Sequence, residues 1–146
     1  MALCLAESLI ALEGSNPTDQ MERYLRWFRE GYLSVKGHCF DIGNATRAAL
    51  TLFEKTKDPF AGSTDPHSAG NGSLMRLASV PMFYAESPKE GIEACAESSR
   101  VTGAVTAVDA CRYYGALIIS YAERRNERRF AFGRVCKFLR FWRDAA

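Results

Sequence analysis

The sequence predicts an all-α protein, a helical bundle, on three observations. Apolar residues recur at three- and four-residue spacing in successive segments. Helix start and stop signals separate those segments: Asn16-Pro17-Thr18-Asp19 and Ser87-Pro88-Lys89-Glu90 open two of them, and Gly14 and Gly103 close two others. No stretch alternates apolar and polar residues over the length of a strand, and no βαβ alternation is present.

Residues 1–13 read as a helix already in mid-pattern at its first residue, since no capping Ser, Thr, Asp or Asn precedes it. On that reading the chain starts inside an element. Gly14 ends this helix, and residues 16–19 supply a loop and a new cap. Met21, Tyr24, Leu25 and Phe28 then fall on one face of a second helix, with charges between them. Residues 31–43, including the run GHCFDIGN, show no period-two pattern and read as a loop. Asn44 stands where it can cap a third helix, which carries Ala48, Ala49, Leu52 and Phe53 and ends near Lys57.

Residues 58–72 are rich in Gly, Ser, Pro and Asp and read as a long loop; such loops inside compact domains are often functional. Residues 73–84 read as one apolar helix that Pro81 bends or ends. Ser87 to Glu90 is a capping box with proline at the first helical position, so the next helix runs to about Arg100. After Gly103, residues 104–121 are rich in alanine and other small residues, which suits close helix-to-helix approach.

A length of 146 residues implies one core, in a domain able to bury roughly 70% of its unfolded surface. With 47% hydrophobic and 25% charged residues the chain is globular rather than disordered. The five cysteines are odd in number and widely spaced, with no CxxC pair and no zinc-ligand cluster, so they read as reduced thiols. Cys4, Cys95 and Cys111 sit among alanines and aliphatics, where a thiol acts as a small hydrophobe. The expected compartment is the cytoplasm. The opening MALCLAESLIALE has no basic segment before it and contains Glu7, which argues against a signal peptide. No stretch is long enough to span a bilayer.

The formal charge of +2 conceals an asymmetry: residues 123–146 hold eight basic and three acidic side chains, against eleven and fourteen before them. This divides the chain into a helical domain, 1–122, and a basic amphipathic C-terminal helix, 123–146, with Val135, Phe138, Leu139 and Trp142 on one face. One reading of that helix is contact with a membrane surface or nucleic acid. The other is a terminal helix docked by its apolar stripe with the basic face in water, and it is preferred because no aromatic interleaving or nucleic-acid motif is present. Nucleic acid is therefore not an expected partner.

The strongest chemical signal is Ser68-Ala69-Gly70-Asn71-Gly72-Ser73-Leu74-Met75-Arg76, a glycine-rich loop running into a helix. Glycines let a backbone approach a ligand, and free N–H groups at a helix start attract anions. Amides, the Ser73 hydroxyl and the Arg76 guanidinium together could hold a diphosphate; a loop with a structural arginine is the alternative.

Four runs, MALCLAESL, GYLSVKGHCFDIGNATRAAL, SAGNGSLMRLASVP and SSRVT with AVDACRYYGAL, resemble the ADP-ribosylglycohydrolase family in the right order over about residues 1–119. The resemblance implies an all-α fold, here a partial one. It implies an enzyme class that uses two magnesium or manganese ions to cleave the bond between ADP-ribose and an acceptor such as arginine or serine. It further implies that Ser68, Gly70, Asn71, Gly72, Ser73, Met75 and Arg76 line the ADP-ribose cleft, joined by Asp41, Gly43 and Asn44 of FDIGN. Asp41 would stand near the scissile end, where a carboxylate pairs with a guanidinium. A loop carboxylate capping a nearby amide is the other reading of Asp41.

Two departures bear on function. The family's metal-binding motifs, Thr-Asp-Asp-Thr before the first helix and Asp-x-Asp-Thr near the C-terminus, are absent, as if the chain were truncated at both ends. Asp41, Asp58 and Asp65 are not at paired spacing, and His67 beside Asp65 reads as a solvated pair, so no metal ligand and no catalytic residue is assigned. Gly103 stands where the family commonly has a histidine. The expectation is a family member inactive alone, without bound cofactor, whose partner is ADP-ribose or an ADP-ribosylated protein. The alternative is a non-catalytic ADP-ribose-binding or helical interaction module. Apolar faces left by missing helices predict a homo-oligomer, with Phe130, Phe132, Phe138, Phe141 and Trp142 covering part of them.

Overall fold

The structure is a computed structural model that describes residues 1–63 and 65–124. The described residues contain seven α-helices and no strand: α1 (Ala2–Ala11), α2 (Pro17–Glu30), α3 (Asn44–Thr56), α4 (Gly72–Arg76), α5 (Ser79–Phe83), α6 (Pro88–Arg100) and α7 (Val105–Arg124), with a single 3₁₀ turn at Pro66–Ser68. The all-α class read from periodicity is the class observed. α7 takes in the first two residues of the basic C-terminal segment, and the rest of it, with Phe130, Phe132, Val135, Phe138, Leu139, Phe141 and Trp142, lies outside the described residues.

α6 and α7 form the most extensive helix pair, and α5 packs against both of them and against α1. α1 also packs on α2, and α2 on α3. The small residues of α7 serve the close approach expected of them, since a Cβ on Gly115 would overlap the Cys95 thiol of α6. Leu5, Leu9, Met21, Tyr24, Leu50, Phe53, Leu77 and Val80 make one continuous buried cluster. Each such side chain contributes roughly 1.5–3 kcal/mol by leaving water.

Several helix ends differ from the sequence reading, each for a local reason. α1 stops at Ala11, ahead of Gly14, and it is Glu13 rather than the glycine that takes the left-handed conformation, φ +53°. Gly43 occupies the N-cap of α3, so Asn44 is its first helical residue and does not cap it. Residues 73–84 are two helices, not one. The break at Leu77–Ala78 lies four residues before Pro81, because a proline has no N–H to give the i−4 carbonyl and its ring crowds that group. The Leu77 carbonyl accepts instead from the Val80 N–H at 2.9 Å. Ser87 and Pro88 start α6 as expected, but the Ser87 side chain makes no cap bond. Asn16 does cap α2, accepting from the Asp19 N–H at 3.0 Å.

The loop between α2 and α3 is shaped by left-handed backbone. Gly31 ends α2 at φ +72°, and a Cβ there would overlap the Gly37 carbonyl, so the chain folds back tightly on itself. Leu33, Gly37 and Asp41 are also left-handed, at φ +54°, +67° and +57°. Gly31→Ala is expected to destabilise the protein by about 2 kcal/mol or more through left-handed strain and that overlap, read from the denaturant midpoint.

On the other side of α2, Arg23 reaches both Asp19 and Glu7 and so ties α2 to α1. Partial burial works to raise the Asp19 carboxyl, but hydrogen bonds from Arg23 and Ser8 and the Arg23 charge outweigh it and hold the group below its ordinary value. A depressed carboxyl stabilises the fold above the unfolded value, and that contribution disappears as pH falls through the folded one. Asp19→Asn should therefore cost up to about 1 kcal/mol at neutral pH. In a pH series of thermal melts the difference from wild type should close as the pH is taken below 3.8.

Candidate functional site

One cleft of about 530 Å³ opens where the α2–α3 loop, the start of α3, the Gly70–Ser73 loop and the exit of α6 meet. That volume suits a small-molecule ligand. Residues far apart in sequence border it: Asp41, Gly43 and Asn44 from one side, Gly70, Asn71, Gly72, Ser73, Met75 and Arg76 from the other. These are nine of the ten residues singled out from the sequence. Ser68 does not border it; its hydroxyl donates to the Asp65 carbonyl at 2.8 Å inside the 3₁₀ turn.

The side chains differ sharply in availability. Asp41, Asn44 and Asn71 are exposed, and Met75 is 75% exposed. Ser73 is buried, with its hydroxyl 2.9 Å from that of Ser99. Arg76 is only 2% exposed. Its Nη2 donates to the Ser98 carbonyl at 3.0 Å and to Thr102 Oγ1 at 2.6 Å, and the guanidinium lies 5.0 Å from the centre of the Tyr24 ring. Ser98 stands in the last turn of α6, where free carbonyls favour a cation. Arg76 Nε and Nη1 have no partner among the described residues, and no carboxylate pairs with it there. Burial pushes the Tyr24 phenol up to about 12, and the charge of Arg76 pulls the other way.

The helix behind the glycine loop is short. α4 spans five residues, so its macrodipole adds little to anion binding, and any attraction must come from the loop amides and the buried cation. The loop is also fixed from behind: a Cβ at Gly72 would come within 2.9 Å of Thr46 Oγ1.

Asp41 is the one carboxylate bordering the cleft among the described residues. No group of three or more His, Cys, Asp or Glu side chains among them converges where a metal ion could be held. Asp65 instead accepts from the His67 N–H at 2.9 Å in a local turn. Two hard divalent cations need several converging oxygen ligands, and the single aspartate bordering the cleft among the described residues does not fit that need.

Sequence reasoning passed over part of the lining. Val35 and Phe40 give the cleft an apolar wall, and Thr102 closes its end beside Gly103, the position already noted where the family commonly has a histidine. Val35 and Phe40 stand in a loop without period, so only their place inside the run GYLSVKGHCFDIGNATRAAL could have marked them. Thr102 could have been suspected from its place beside the helix-breaking Gly103.

Comparisons with known proteins bear on the family and the fold. A family description, ADP-ribosylglycohydrolase, matches residues 1–145. The chain belongs to the ADP-ribosylglycohydrolase family. The match runs past residue 122, where the charge balance changes. Among relatives, the ADP-ribosylarginine hydrolase Tri1 of Serratia proteamaculans (strain 568) is 36% identical over 133 residues, covering 90% of this chain and 36% of that protein. Tri1 of Pseudomonas putida (strain GB-1) is 38% identical over 117 residues, 80% of this chain and 32% of its own length. A solved structure, described as an ADP-ribosylglycohydrolase-related protein complex, superposes with a TM-score of 0.65 at 41% identity, covering 81% of this chain and 36% of that one. This family member thus spans about a third of the length of the curated relatives it matches.

Proposed function

We propose that this ADP-ribosylglycohydrolase-family chain forms an ADP-ribose-holding surface, and that the described residues alone do not hydrolyse the glycosidic bond. One observation carries the reading. The glycine loop and the FDIGN segment, about thirty residues apart in sequence, border a single cleft that has a buried cation at its floor and one exposed carboxylate at its rim.

The division of charge matches the two ends of an ADP-ribosylated arginine. The diphosphate is anionic and suits the Gly70–Ser73 amides and the field of Arg76; an arginine acceptor is cationic and suits Asp41. The Tri1 relatives, named as ADP-ribosylarginine hydrolases, favour arginine over serine as that acceptor. Catalysis is a separate matter. Metal-assisted stabilisation supplies several kcal/mol of transition-state energy, and each 1.36 kcal/mol is tenfold in rate. With Asp41 as the only carboxylate at the cleft among the described residues, those residues do not supply the ligands for such ions.

Calorimetry with ADP-ribose should show saturable binding that Asn71→Ala weakens about fivefold, the worth of one hydrogen bond. Asp41→Ala should leave free ADP-ribose unaffected and weaken an arginine-linked ADP-ribosyl peptide. Incubating that peptide with the chain and magnesium should release no ADP-ribose above the no-protein control; turnover would refute the inactive reading, and absence of any ADP-ribose binding would refute the cleft reading.

Two further features belong to this reading. Val105, Tyr113, Tyr114 and Leu117 leave α7 with exposed apolar surface, which supports self-association. Light scattering is expected to give a mass above 16.3 kDa, and a clean monomer would count against it. Cys4, Cys39, Cys95 and Cys111 are all free thiols, consistent with a reducing compartment such as the cytoplasm. Among the described residues no helix is long and apolar enough to cross a membrane.

A further inference from the structure

The hydrogen bonding of Thr102 is unusual for a threonine at a helix end. It is 3% exposed, it borders the cleft, and its Oγ1 accepts from Arg76 Nη2 at 2.6 Å. A guanidinium has no acceptor, so this bond runs in one direction only and leaves the hydroxyl proton unused. Elsewhere in the fold such protons go back along the helix: Thr51 donates to the Arg47 carbonyl at 2.9 Å and Thr56 to the Leu52 carbonyl at 3.0 Å. For Thr102 the equivalent carbonyl is that of Ser98, which accepts from Arg76 Nη2 at 3.0 Å and receives no bond from the Thr102 hydroxyl. No acceptor takes the Thr102 proton among the described residues.

We propose that Thr102 is a ligand-contacting donor of the cleft, its hydroxyl turned by Arg76 toward a phosphate oxygen of the bound molecule. Arg76 acts through it as a positioning residue. The cation withdraws density from the hydroxyl oxygen, which strengthens the donor, and the guanidinium carries no counter-charge among the described residues, which favours an anion nearby. The proposal rests on the cleft reading for the identity of the ligand, a diphosphate, and on geometry alone for the donor. Free pyrophosphate and the diphosphate of ADP-ribose share the chemistry and separate the two claims.

The experiment titrates wild type, Thr102→Val and Thr102→Ser with inorganic pyrophosphate and, in parallel, with ADP-ribose. Wild type should bind pyrophosphate saturably, Thr102→Val about tenfold more weakly, and Thr102→Ser within about twofold of wild type. In an Arg76→Met background Thr102→Val should still weaken pyrophosphate binding, by less than about tenfold, because the donor remains while its orienting cation is gone; no effect there would mean that Thr102 only holds Arg76 in place and would overturn the proposal. Equal pyrophosphate affinity for wild type and Thr102→Val, or no saturable binding to wild type, overturns the proposal. ADP-ribose binding that ignores Thr102 overturns it while leaving the cleft reading intact; Thr102-dependent pyrophosphate binding without ADP-ribose binding does the reverse. Should Thr102→Val fail to fold, the methyl resonance of Thr102 in the wild-type chain decides: a saturable shift on adding pyrophosphate supports the proposal, and none overturns it.

Discussion

A guanidinium buried with no carboxylate partner among the described residues is the constraint around which they are arranged. Placing an unpaired charge in a protein interior costs on the order of several kcal/mol, so whatever surrounds Arg76 must return much of that. The Ser98 carbonyl, the Thr102 hydroxyl and the face of Tyr24 do so in part. Each contact also has a mechanical effect. Together they fasten α4 to the exit of α6 and to α2, and the Gly70–Ser73 loop, which leads directly into α4, takes its position from them.

The opposite wall of the cleft is made by backbone conformation rather than by side-chain bonding. Left-handed residues at Gly31, Leu33, Gly37 and Asp41 coil the α2–α3 loop into a compact turn. The same turns present Asp41 at the rim and Val35 and Phe40 toward the cleft. One wall is therefore anchored by a charge and the other by chain geometry, and the ligand-sized space lies between them.

Membership of the ADP-ribosylglycohydrolase family, over about a third of its relatives' length, frames what such a cleft can contribute. Holding a diphosphate and breaking a glycosidic bond make different demands. The first needs amide donors and positive charge; the second needs a cluster of hard oxygen ligands if divalent ions are to take part. Among the described residues the cleft is bordered by the glycine-loop backbone, a buried guanidinium and one aspartate, a set that suits the first demand better than the second.

What was legible in the sequence was whatever depends on neighbours along the chain. Apolar spacing in residues 17–30 and 88–100, Asn16 before Pro17 and Ser87 before Pro88 specify helices because an α-helix is closed by bonds four residues apart. Motif order gave the family and nine of the residues that border the cleft. The end of α1 at Ala11 was missed because the same letters allow several local backbone paths; the interruption by Pro81 was legible, but not that it falls at Leu77–Ala78, four residues ahead of the proline. The state of the side chains was beyond local reading altogether. Whether Arg76 faces water or is buried, and whether Ser73 and Thr102 are free or engaged, depends on α2 and α6 arriving from 52 and 22 residues away in the chain. Local rules fix the helices and the candidate loop; only their assembly sets which polar groups are already spent and which remain for a ligand.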